Sequence, residues 1–119
     1  MEYISGSCNI GPAEIQKRKA AGYFGLALYL ICAIVVITTT EPVWVRGISF
    51  LPALIGSVGF IQARRKFCVA YGFMGAFNFG TASKVTDKAA LAADRKYALT
   101  VFTQALVISL VLTLLLYVI

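Results

Sequence analysis

The chain has 119 residues, 60% of them hydrophobic and only 13% charged, with a mean hydropathy of +0.83. That balance excludes an ordinary soluble domain, whose core at this size could not hide so much apolar surface, and it makes a bilayer the expected solvent. The net charge of +6 does not point to nucleic acid, because the basic residues flank apolar runs, where positive charge sets orientation, instead of lining one soluble face.

In chain order, Gly11-Pro12-Ala13-Glu14 reads as a helix start. Pro12 occupies a position where no N–H is needed, and Glu14 sits near the positive end of the helix dipole. Glu14 and Arg18 are four residues apart and can pair on one exposed face, a contribution of about 0.3 kcal/mol. Lys17, Arg18 and Lys19 then precede the uncharged run 20–37, close to the ~20 residues that a helix needs to cross hydrocarbon. A cleaved signal peptide is the competing reading. The run exceeds the usual ~7–15-residue apolar region and no small-residue cleavage site follows, so the helix is expected to stay.

A polar link, Thr38-Thr39-Thr40-Glu41, leads to a second span at 42–62 and hence to an antiparallel hairpin, with Trp44 as an interfacial anchor. Arg46, one turn inside, must either reach back to the headgroups or pair with Glu41, because an isolated charge at membrane depth is costly. Pro52 removes one backbone donor and predicts a kink there. Ser49, Ala53 and Ser57 recur every four residues beside Gly56 and Gly59, a small-residue surface that allows close helix approach and is read as a packing seam.

Arg64, Arg65 and Lys66 follow, and then 67–80, FCVAYGFMGAFNFG, fourteen uncharged residues that are short for a crossing and fit a re-entrant, interfacial or protein-buried helix. Cys68, Gly72, Ala76 and Gly80 would line one side of it, offering little but backbone to a partner. Its aromatic residues suit a headgroup boundary or a hydrophobic partner, and leave a lipid, quinone or pigment site open. The stretch 83–96 reads as a solvated cytoplasmic helix, capped by Ser83 or Thr86, with Asp87 and Asp94 beside Lys84, Lys88 and Arg95. It feeds into a third span, 97–119, in which Gln104 is the only amide and needs a partner on another helix.

With three spans, ten of the 11 basic residues share the N-terminal side: Lys17, Arg18, Lys19, Arg64, Arg65, Lys66, Lys84, Lys88, Arg95 and Lys96. Only Arg46 lies opposite. A fourth crossing at 67–80 would split the basic residues almost evenly and erase this bias. The fold class expected is therefore an all-α membrane protein of three transmembrane helices and one short re-entrant or interfacial helix, forming a single membrane domain with its N-terminus cytoplasmic and its C-terminus outside. Lys17, Arg18, Lys19, Arg64, Arg65 and Lys66 set this topology and meet lipid headgroups.

The chain has no His, and none of its carboxylates falls within an apolar span, so general-base, metal and proton-relay chemistry lacks its usual residues. No phosphate-binding glycine loop appears. The leading expectation is a non-catalytic membrane subunit that packs in a homo- or hetero-oligomer through Cys68, Gly72, Ala76, Gly80, Ser49, Ala53 and Ser57. A small oligomeric transporter or channel is the alternative, with polar residues such as Asn78, Gln104, Ser57 or Thr103 on its path. A second alternative is a cytoplasmic-side thiol sensor or enzyme using Cys8 and Cys68, with the field of Arg64, Arg65 and Lys66 acting on the latter. The residues name no cofactor, and the partners expected are the lipid bilayer and other membrane subunits.

The segments SCNIGPAEIQKRKAAG, LPALIGSVGFIQARRKFCVAYGFMGAFNFG and ADRKYAL resemble those of a family of small bacterial integral membrane proteins of unassigned function. The resemblance implies a bacterial inner membrane and supplies no activity or ligand.

Overall fold

Helix α1, Pro12–Thr38, starts where the sequence places it: Gly11 is the extended N-cap, Pro12 opens the first turn and Glu14 lies within it. Its far end is closed by its own hydroxyls. Thr38 Oγ1 donates to the Ile34 carbonyl at 2.7 Å and Thr39 Oγ1 to that of Val35 at 2.5 Å, which occupies two carbonyls of the last turns. The computed structural model describes residues 3–39 and 43–118.

The second span is two pieces, α2, Val43–Ile48, and α3, Phe50–Arg65. The discontinuity falls at Ser49, three residues before the kink expected at Pro52, and the reason is the missing proline donor. Ser49 keeps near-helical angles (φ −60°, ψ −17°), while its N–H and its hydroxyl both donate to the Arg46 carbonyl, at 3.3 and 2.6 Å. Pro52 thereby falls in the first turn of a new helix, where its lack of an N–H costs nothing. Helix α3 ends at Lys66 in the left-handed conformation (φ 56°), whose N–H returns to the Gln62 carbonyl.

The segment 67–80, expected as one short helix, is not helical throughout. Helix α4 covers only Val69–Met74, and Gly75 stops it at φ 74°. The chain then turns into a hairpin of β1, Ala76–Asn78, and β2, Ala82–Lys84, antiparallel with Phe77 opposite Ser83. Ala76 and Gly80 therefore do not share a helix face with Cys68 and Gly72. Ile10 of the N-terminal segment bridges Asn78 in parallel and extends the hairpin by one short edge.

Helix α5, Lys88–Val118, is the expected continuous helix through the last span, but it begins five residues later than the stretch at 83. Residues 82–84 are spent on β2, and the cap is Asp87, not Ser83 or Thr86. Its Oδ2 accepts the Ala90 N–H at 3.2 Å, the N-cap geometry.

Among the described residues, three helical segments are long and apolar enough to cross a membrane: Pro12–Thr38, Arg46–Arg65 and Lys88–Val118. Helix α3 packs on α1 at one side and on α5 at the other. The α1–α3 contact is nearly backbone on backbone, because Gly22 and Gly25 oppose Gly56 and Gly59. Helix α5 brings its own small residues inward, burying Ala90, Ala98, Ala105, Ser109 and Thr113 at helical spacing. The molecule is 54 Å long, more than the ~30 Å of a bilayer's hydrocarbon core.

Candidate functional site

All ten basic residues that the sequence assigns to one side belong to the hairpin end. They lie in the first two turns of α1, at the end of α3, in β2 and in the first turns of α5. Arg46 stands at the other end, where its Nη1 donates to the Leu116 carbonyl at 2.9 Å. A guanidinium there offsets the negative carbonyl end of α5. The expected partner Glu41 lies outside the described residues.

Residues 3–11 fold over this basic end and are held by buried polar side chains. Asn9, with no exposed surface, grips the backbone of Cys68 twice: its Oδ1 accepts the Cys68 N–H at 2.6 Å and its Nδ2 donates to the Cys68 carbonyl at 3.1 Å. The Asn9 N–H donates to Lys66, and its carbonyl accepts from Asn78. Gln62 Oε1 takes the Val69 N–H at 2.8 Å and so starts α4. Asp94 accepts from the Tyr3 hydroxyl at 2.5 Å and from the Gly6 N–H at 2.6 Å. Asp94 is fully buried, not part of a solvated face as its charge pattern suggested. Burial pushes the Tyr3 phenol above its ordinary pKa, and the adjacent Asp94 and the more distant Asp87 push the same way.

Glu14 is the second centre of this cap. It pairs with Arg18 at 3.2 Å and with Lys17 at 3.5 Å, and it accepts from Asn78 Nδ2 at 3.3 Å. The Glu14 side chain is only 11% exposed, so this is not the isolated surface pair the spacing suggested. Arg18 Nη2, the nitrogen nearest Glu14, also donates to Cys68 Sγ at 3.3 Å. Beneath lies the apolar cluster of Phe67, Val69, Ala98 and Val101.

The expected partner-packing residues have mostly been used inside the chain. Cys68, Gly72, Ser49, Ala53 and Ser57 are all buried, and a methyl on Gly72 would meet Phe67 and Ala98 below 3.0 Å. Ala76 is half-buried and Gly80 exposed, both in the hairpin. Asn78 is half-buried within the cap, between Glu14 and Tyr71. Lys17, Lys19, Arg64, Arg65 and Lys66 remain exposed, as headgroup contacts must be. Gln104 lines a groove between α3 and α5, with Ile61, Arg64, Arg65 and Thr103.

Cys8 and Cys68 are both buried free thiols, and each has its own contact; that of Cys8 is with the Ile10 carbonyl at 3.8 Å. No group of three His, Cys, Asp or Glu that could hold a metal occurs among the described residues. Asn9, Gln62 and Tyr3 escaped the sequence reading. Their partners are 59, 7 and 91 residues away, and an isolated amide or phenol outside a periodic run carries no local signal.

Three apolar helices and a polar cap cross-linked at one end are compatible with a small membrane protein. Comparison with protein families, with curated proteins and with solved structures finds no match.

Proposed function

We propose that the chain is a non-catalytic subunit of a homo- or hetero-oligomeric complex in a bacterial inner membrane, with its N-terminus cytoplasmic and its C-terminus outside. One observation carries the reading. Only 17% of the most apolar window of α1 is buried by the rest of the chain, while Phe24, Ile31 and Ile34 of that helix stand more than half exposed. Most of that window is thus an apolar outer wall available to lipid and to neighbouring subunits. Of the buried polar side chains, Asn9, Glu14, Gln62 and Asp94 are occupied in cross-linking the cap, which supports a structural use for them. The gathering of ten basic residues at one end supports the orientation.

A transporter reading has less support, because two of its path residues are otherwise engaged, Asn78 with Glu14 and Tyr71 in the cap and Thr103 with the Leu99 carbonyl of its own helix. The thiol reading needs an accessible sulfur, and both cap cysteines are buried. Purification from native membrane in mild detergent tests the proposal. A discrete oligomer or a stoichiometric second subunit is the expected result, and a monodisperse monomer that retains no partner would overturn it.

A further inference from the structure

We propose that the groove between α3 and α5 at the basic end binds one anionic phospholipid from the surrounding leaflet, with its phosphate on Arg64 and Arg65 and its acyl chains along Val107 and Ile108. The inference rests on membrane embedding and not on the oligomeric role.

The groove holds about 670 Å³, within the range of small-molecule sites. Its mouth is charged. Arg64 and Arg65 occupy the last turn of α3, both are exposed, and neither forms an ion pair among the described residues. Arg65 donates to the Tyr97 hydroxyl at 3.1 Å and lies over its ring at 5.8 Å, which fixes the guanidinium beside the groove and leaves further N–H groups unused. The carbonyl end of α3 contributes roughly half a negative charge, so two guanidiniums leave the mouth clearly positive.

Polarity then falls in the order an amphiphile requires. Thr103 and Gln104 come next along α5, at the depth of glycerol esters, and no side-chain partner of Gln104 occurs among the described residues. One turn further, Val107 and Ile108 form an apolar wall, 54% and 43% exposed. From Thr103 to Ile108 the helix rises ~7.5 Å, comparable with the distance from a lipid phosphate to the start of its chains. A free phosphate has no use for that wall. A helix of another subunit would desolvate two unpaired guanidiniums at high cost.

Native mass spectrometry of the full-length protein, taken from bilayers of equal phosphatidylglycerol and phosphatidylcholine, reads the occupancy directly. The wild type should retain one phosphatidylglycerol in preference to phosphatidylcholine. Arg64→Ala with Arg65→Ala should lower that fraction roughly ten-fold, since each basic residue contributes measurably to anionic-lipid attraction. Val107→Trp leaves the charge intact but fills the groove, and should lower it similarly. Lys84→Ala with Lys88→Ala should leave it unchanged, as should millimolar glycerol 3-phosphate.

Equal loss in the Lys84/Lys88 variant would mean diffuse attraction and overturn the proposal, as would competition by glycerol 3-phosphate. Arg64 also borders a smaller groove with Lys19, Ile15 and Phe60. Loss on Lys19→Ala without loss on Val107→Trp would place the lipid there and overturn the assignment. Far-UV circular dichroism confirms that each variant keeps its helices. If the protein does not float with vesicles after a carbonate wash, embedding itself fails. If it floats but shows no lipid preference, only the site fails.

Discussion

A β-carbon placed on Gly25 of α1 would lie 2.3 Å from the backbone nitrogen of Gly56 of α3, a separation that no real side chain tolerates. Two helices meet here through their main chains. Gly25→Val must therefore push α1 off α3, and overpacking of this kind costs about 1–3 kcal/mol or more. The midpoint of unfolding in SDS, followed by circular dichroism, should fall markedly for Gly25→Val. Leu30→Val, on the exposed side of the same helix, should leave it nearly unchanged.

The two-point grip of Asn9 on Cys68 leads to a second expectation. Asn9→Ala leaves the buried N–H of Cys68 without its acceptor, at a cost of about 1–3 kcal/mol. The N-terminal segment should loosen and Cys68 should open to solvent. Maleimide labelling in detergent should modify Cys68 several-fold faster in Asn9→Ala than in the wild type, with the rate for Cys32 as internal reference.

The Tyr3–Asp94 contact carries a pH dependence. The folded-state pKa of Tyr3 is raised by burial and by Asp94, so its stabilisation is complete below the ordinary phenol range near 10 and is lost as pH climbs through the higher folded value. Absorbance at 295 nm should show Tyr3 ionising in a late step, after the exposed tyrosines. Tyr3→Phe should remove that late step, and loosening of residues 3–11 in the wild type should follow it.

Arg46 donates to Leu116 across 70 residues of sequence and joins the two ends that lie opposite the cap. Arg46→Met should lower stability in SDS by about 1.5–3 kcal/mol, the range for a hydrogen bond to a charged group. Arg46→Lys should recover only part of this, because a point charge does not reproduce the guanidinium geometry.

The proposed topology of three crossings puts the N-terminus and the C-terminus in different compartments. A tag at each end, probed with a membrane-impermeant reagent on intact cells, should give one accessible and one protected signal, the N-terminal tag being the protected one. Two tags in the same compartment would end the three-span arrangement.

Glycine spacing at 56 and 59 announced a close helix approach correctly, yet it could not say whether the facing surface belonged to this chain or to another. The answer is internal, on Gly22 and Gly25. The four-residue repeat from Cys68 to Gly80 misled for a different reason. Gly75 adopts φ 74° and ends α4 halfway, and a glycine inside an apolar run reads equally well as packing residue or stop. Asp94 looked solvated because its neighbours are charged, and it is buried because the N-terminal segment folds back over it.

Composition and charge order alone determined the medium, the three apolar segments, the start of α1 and the grouping of basic residues, because the cost of placing charge in hydrocarbon acts on each residue where it stands in the chain. Only the tertiary structure decided what the polar residues do. Asn9 meets Cys68, Tyr3 meets Asp94 and Arg46 meets Leu116 across long separations, and hydrogen bonds depend on distances in space that no local pattern encodes.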